Sequence, residues 1–421
     1  MKGPPTPQTC PQHLPAEGVS FFMPLAILAL AISAFAVGTT EFVIMGLLSD
    51  VAADLSVSVP VAGYLVSGYA LGVVAGALPL AALTTRFPRR AVLVLLMAVF
   101  VVGNLLAGVA PGYGMLMSAR VLVSLAHGAF FGVAAVTAAD LVAPSRRASA
   151  ISLIFSGMTV STILGVPLGT LIGQHFGWRA TFLSVALIGF VGLLSILVLL
   201  PAQPRPSGGG LRAELGAFRR KQVWVTLTVT MLVSAAIFAS FTYIEPMLVK
   251  VSGFAPSSVT VILMLYGIGM SIGNLLGGHL AGKFPVATLH GTLVVLAVLL
   301  AVFDYSIHFR TPAVITLTLL GLCGTAAIPT LQHRIMQVAS EARTLASAAN
   351  VAALNVGNAL AAWLGGAAIG AGFGYASPNL VGAVLAVAAT LIVVVADLTA
   401  RGRDRNGTAR RADEQVRTPA S

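Results

Sequence analysis

One offset relates distant parts of this chain. The stretch YALGVVAGALPLAALTTRFPRR begins at Tyr69, and a second, YGIGMSIGNLLGGHLAGKFP, begins at Tyr266. Tyr69, Gly72, Gly76, Phe87 and Pro88 fall on Tyr266, Gly269, Gly273, Phe284 and Pro285, and Arg86 falls on Lys283. The same spacing carries Gly169, Gly173, Phe176 and Gly177 onto Gly366, Gly370, Phe373 and Gly374, with Trp178 on Tyr375. One offset at two distant places implies a duplicated half, and a repeat constrains a fold more than any local motif. In an apolar chain, parallel repeats are a plan of secondary transporters, which handle substrate where the halves meet.

The chain is apolar enough for that plan. Of 421 residues, 57% are hydrophobic and 9% charged, where soluble domains carry about 25% charged residues. Crossing roughly 30 Å of hydrocarbon takes about 20 apolar residues. Twelve such runs are expected, at 23–48, 60–83, 91–110, 114–139, 148–173, 180–200, 223–248, 257–282, 286–308, 312–335, 344–372 and 376–399. The fold class is therefore an all-α integral membrane protein, with twelve transmembrane helices in two six-helix pseudo-symmetric halves. Residues 23–200 and 223–399 form the halves, and the Pro- and Gly-rich stretch 201–222 forms a linker ending in a short basic amphipathic segment. A polar lead, 1–22, and a basic tail, 400–421, read as disordered. Met23 is a candidate start.

The net charge of +11 reports orientation and needs no nucleic acid. With both termini cytoplasmic, all but Arg120, Arg179, Lys250 and Arg310 of the 24 Lys and Arg fall on the cytoplasmic side, which is the positive-inside pattern. Cys10 and Cys323 make no framework, and the seven histidines have no metal-ligand spacing. No metal or cofactor is expected. Neither is an enzyme, since no nucleophile–base pairing, phosphate loop or nucleotide fingerprint is visible.

Glu41 is the sole ionisable residue of the first run, and a carboxylate at that depth is paired, turned to water or used to carry protons. Arg120, in the fourth run, lies at matching depth, so an ion pair or shared polar network is expected, as a proton-coupling site or as a structural pin. His127 shares its helix and is a candidate relay, with a packing role as the alternative. In the fifth run Gly165, Gly169 and Gly173 form a stripe of small residues beside Pro167, a hinge against a close-packing seam. Phe241, Tyr243, Asn350, Asn355 and Asn358 are candidates for a substrate cavity, and the asparagines are equally able to satisfy one another. Glu245, before Pro246 at a run's end, reads as interfacial. Asp304 and Asp397 read as solvated.

Several of these segments resemble the major facilitator superfamily. TTRFPRR is similar to its cytoplasmic loop signature through Arg86, Arg89 and Arg90, with Ala81, Thr85 and Pro88 in place of the usual Gly, Asp and Gly. The resemblance implies a cytoplasmic gate loop there, lacking the acidic group that helps lock it. The fourth run is similar to the family's membrane-arginine signature through Arg120, with Ser124 for glycine. GVPLGTLIG, followed by Gly177, Trp178, Arg179 and Phe182, resembles the antiporter signature. Together with GTTEF and AHGAFFG, these segments look like the arabinose-efflux-permease-like branch of the twelve-span drug:proton antiporters, which includes chloramphenicol-resistance proteins. The resemblance covers 23–399 and implies proton-coupled efflux of a drug or sugar across the cytoplasmic membrane by alternating access. A sugar facilitator without proton coupling and a non-transporting membrane scaffold or sensor are the alternatives. The expected partners are a small-molecule substrate, protons and the lipid bilayer, with the protein a monomer.

Overall fold

The computed structural model describes residues 19–84, 87–201, 215–340 and 342–417. Most of the lead and linker, Arg86 and the last four residues lie outside these. Among the described residues are twelve helical spans long and apolar enough to cross a membrane, from Leu25–Gly46 to Pro378–Thr399. Helices suit the task because each closes its own backbone hydrogen bonds, which hydrocarbon cannot supply.

The first half runs α1 (Val19–Phe42), a 3-10 turn (Val43–Gly46), α2 (Leu48–Asp54), α3 (Val59–Thr84), α4 (Arg89–Gly108), α5 (Tyr113–Asp140), α6 (Arg147–Val160), a π turn (Ser161–Gly165), α7 (Val166–Phe176) and α8 (Trp178–Leu199). After a 3-10 turn at Leu215–Arg219, the second half runs α9 (Lys221–Thr242), α10 (Ile244–Lys250), α11 (Pro256–Lys283), α12 (Pro285–Ser306), α13 (Arg310–Val338), α14 (Arg343–Gly370) and α15 (Pro378–Arg417).

The repeat spacing maps one half onto the other. The starts of α5 and α13, Tyr113 and Arg310, are equivalent positions, and so are Gly46 and Tyr243, where the first and seventh spans are interrupted. Both spans were expected to be continuous; each instead breaks near the end remote from the termini. The basic tail also differs from expectation, because α15 continues to Arg417. Its residues beyond 399 contain no proline before Pro419 and are rich in Ala and Arg, which favour helix.

The glycines of the repeat explain the tightest packing within each half. A Cβ at Gly76 of α3 would collide with the Leu125 carbonyl of α5, and one at the equivalent Gly273 of α11 would collide with the Leu322 carbonyl of α13. Only glycine lets these backbones approach so closely.

Between the halves, the end remote from the termini is closed. Ser67 Oγ of α3 donates to Ala359 O of α14 at 3.0 Å, and Gln174 Nε2 of α7 donates to Pro256 O of α11 at 2.7 Å. Tyr243, buried at the seventh-span break, fills a socket with Gly63 on one wall and Gly365 and Gly366 on the other. Midway, Gly267 of α11 sits against the Thr162 carbonyl in the π turn. Toward the termini, Ser149, Ser152, Leu153 and Ser156 of α6 border an open groove. The halves are thus bonded to each other at the end remote from the termini, and the open groove beside α6 lies toward the other end.

Candidate functional site

The interruption at Phe42 leaves the last carbonyls of α1 without partners along their own helix. Arg120 of α5 takes two of them. Its Nη1 donates to Thr40 O at 2.5 Å and its Nη2 to Glu41 O at 3.3 Å, while Cζ lies 4.1 Å from the centre of the Tyr69 ring. A cation at a helix C-terminus and over an aromatic face is favourable on both counts. The expected relation between Glu41 and Arg120 is therefore a shared network. Arg120 holds the backbone of Glu41 and not its carboxylate, because the broken helix end competes for the same guanidinium.

The Glu41 carboxylate turns toward His127. Oε2 is buried without a hydrogen-bond partner and lies 3.9 Å from His127 Nδ1. The Tyr69 hydroxyl sits 3.1 Å from that same nitrogen. Thr40 Oγ1 donates to Asn104 Oδ1 at 2.6 Å, and Asn104 Nδ2 donates to Phe100 O, which anchors the cluster to α4. Glu41, Tyr69, Asn104, Arg120 and His127 are all buried. A carboxylate so placed, unpartnered and beside a titratable imidazole, can bind and release a proton. From His127 an aromatic path runs outward, edge-on to Phe131 at 5.3 Å and on to Phe155 of α6, stacked at 5.4 Å. Phe155 is exposed. Tyr69 and Asn104 were not singled out as site residues, although Tyr69 opens the repeat and Asn104 is the one amide in its span.

The glycine stripe packs on α1 and its interruption. Cβ atoms at Gly165, Gly169 and Gly173 would overlap Thr39, Val43 and Leu47, so two rows spaced by four residues face each other. The π turn stands just before Pro167, whose missing N–H removes one rung of the ladder. Beyond it, Asp54 Oδ2 at the end of α2 accepts Arg179 Nη1 at 2.6 Å and Trp178 Nε1 at 3.1 Å. Those bonds hold the Asp54 carboxyl below its usual range. Burial pushes that of nearby Asp50 up.

The remaining candidates are dispersed. Phe241 stacks on Tyr266 at 4.4 Å. Tyr243 donates to Ala362 O at 2.6 Å inside its socket. Asn350 accepts from Thr230 and donates to Gln332, and Asn358 accepts from Ser234, so both pin α14 to neighbouring helices and face no open wall. Asn355 donates to Val351 O, and its Oδ1 is buried without a partner. Of the gate loop, Arg89 pairs with Asp140 and Arg90 donates to Leu197 O, both within the first half, while Arg86 lies outside the described residues. Asp397, read as solvated, pairs with Arg334 at 2.9 Å and with His290 at 3.5 Å. Among the described residues, no cluster could hold a metal ion.

The Major Facilitator Superfamily model matches residues 30–287 and again 227–420. The chain is 43% identical over 367 residues to the inner membrane transport protein YdhP of Escherichia coli (strain K12), covering 87% of this chain and 94% of the relative. It is 34% identical over 379 residues to a chloramphenicol resistance protein of Streptomyces lividans, covering 88% and 95%. In fold it is similar to the crystal structure of a bacterial homologue of the human lysosomal transporter Spinster in an inward-facing, unoccupied conformation. That likeness has a TM-score of 0.69 at 18% identity and covers 89% of this chain and 95% of the other. Repeat, twelve spans and family match converge: the chain belongs to the Major Facilitator Superfamily and is a small-molecule transporter of the membrane.

Proposed function

We propose that the protein is a proton-driven exporter of a small organic solute across the cytoplasmic membrane, with both termini in the cytoplasm. The observation that carries this reading is the Glu41 carboxylate, buried, unpartnered and 3.9 Å from His127. The solute enters from the end toward the termini, where α6 borders an open groove, and rests beside Phe131 and Phe155. A proton arriving from the opposite side neutralises Glu41, with His127 as relay. Neutral Glu41 no longer draws on the positive field of Arg120, and the cluster rearranges around the end of α1. Proton release to the cytoplasm resets the site. The positive-inside charge distribution supports the orientation, and the relatives named for inner-membrane transport and chloramphenicol resistance support the direction and the kind of solute.

The test uses inverted membrane vesicles with an acid interior, to which chloramphenicol, arabinose and lipophilic drugs are added in turn. One of them is expected to collapse the gradient through the wild-type protein and to leave it intact through Glu41→Gln. Full-rate, solute-driven proton flux through well-expressed Glu41→Gln would overturn the assignment. Solute equilibration with no proton movement in the wild type would favour a facilitator.

A further inference from the structure

Glu245, expected at a wet interface, is only 7% exposed. It is the second residue of α10, and its Oε2 accepts the backbone N–H of Ser49, the second residue of α2, at 3.0 Å. The donor is free because the interruption at Leu47 starts a new helix, whose first N–H groups have no acceptor within it. Side-chain hydrogen bonds that cross between the halves, among the described residues, come from Ser67, Gln174 and Glu245. Only the last involves an ionisable group.

We propose that Glu245 is a proton-sensitive latch on the end remote from the termini. The charged carboxylate holds α2 against α10. Protonation at the oxygen that accepts the Ser49 N–H replaces a charge-assisted bond with a weaker neutral one, and the halves part at that end. That the triggering protons come from outside the cell rests on the orientation proposed above. In that orientation the latch admits protons toward Glu41 when the outside is acid.

The groups around it fit a carboxylate that can change state. Asp50, next to Ser49, adds like charge. Lys250, on the same short helix, is drawn to Tyr375, with Nζ 3.0 Å from the hydroxyl. Asp54 is occupied by Arg179, and Arg310 donates to the carbonyls of Ser252 and Gly253. The 3-10 turn Val43–Gly46 has no ionisable residue, and α11 carries Tyr266, His279 and Lys283 well down its length. The repeat supplies an unusual control: the position equivalent to Ser49 is Pro246, so proline is already accommodated there in the other half.

The test places spin labels at the exposed positions Ala53 and Ser257 in a Cys10→Ser, Cys323→Ser background, in lipid nanodiscs between pH 8 and pH 5. In the wild type, acidification is expected to raise the long-distance population by about tenfold, the scale of one charge-assisted bond. Glu245→Gln should show that population already at pH 8, with no further rise. Ser49→Pro should do the same with the carboxylate left in place, since it removes the N–H together with the hydroxyl, and Ser49→Ala, which removes the hydroxyl alone, should keep the wild-type response. A wild-type distance that ignores pH, or a full pH response in Glu245→Gln, would overturn the latch. So would loss of the response in Glu41→Gln, which would assign it to the buried cluster. None of these readings needs solute or a proton gradient, so failure of the latch and failure of the antiport reading are separable.

Discussion

The two halves share a frame and differ in chemistry. Moving by the repeat spacing from the first half to the second, Tyr69 becomes Tyr266, but Glu41 becomes Phe238, Arg120 becomes Leu317 and His127 becomes Gly324. Where one half buries a carboxylate, a guanidinium and an imidazole, the other buries Phe238 stacked on Phe42 at 5.6 Å and Tyr266 stacked on Phe241 at 4.4 Å. The same place in the second half holds a small apolar cavity walled by Ile237, Leu317 and Leu320. Packing surfaces set by glycine were kept in both copies, and the titratable groups were not. The duplication therefore separates what the scaffold needs from what the buried cluster needs: the second half keeps the frame and puts apolar groups or glycine where the first has Glu41, Arg120 and His127.

The sharpest way to break this contrast is Arg120→Leu, which gives the first half the residue its counterpart has. The carbonyls of Thr40 and Glu41 lose their donor, and Glu41 is left without a buried positive neighbour. The expected outcome is a loss of about 3–5 kcal/mol in stability, read as a large fall in Tm in detergent, with transport abolished. A smaller effect, equal on both sides, is expected from Gly76→Ala and Gly273→Ala. Each Cβ meets an equivalent carbonyl, so each should cost about 1–3 kcal/mol by overpacking. Unequal losses in Tm would show that the halves pack less alike than their sequences do.

The smallest effect is confined to the first half, where Asp54 pairs with Arg179; the equivalents in the second half are Val251 and Ala376. Because the folded pKa of Asp54 is depressed, its contribution is present above the unfolded value near 3.9 and is lost as pH falls through the lower folded value. The pair is exposed and screened, so the contribution is under about 1 kcal/mol. Asp54→Asn should flatten the Tm profile below about pH 4 and leave neutral pH nearly unchanged. A shift of similar size at pH 7 would mean that Asp54 does more than pair with Arg179.

The fold was legible because its strongest signals, apolar run length and a repeat, are local counts along the chain. The depth match of Glu41 and Arg120 was also legible, since helical rise converts residue number to depth. Their bonding was not, because it depends on the interruption after Phe42. In EFVIMGLLSD only Gly46 disfavours helix, and a single glycine is common inside membrane helices, so it does not announce the break. Asn350 and Asn358 were equally ready for a solute or for each other. In the structure they accept instead from Thr230 and Ser234, on a helix more than a hundred residues away. Glu245 read as wet because it is near a helix end. It is buried because the other half covers it, and a contact between copies leaves no trace in the pattern of either one.

Tyr243 and its socket carry a consequence for how this sequence can vary over time. Three glycines, Gly63, Gly365 and Gly366, are each held to hydrogen by the same ring, though no short segment contains all four positions. A methyl group at any one of them would wedge the ring outward, and a smaller residue at 243 would release all three at once. Substitution at these sites is therefore expected to come as a set among descendants of this chain, with the tyrosine changing first and the glycines afterwards.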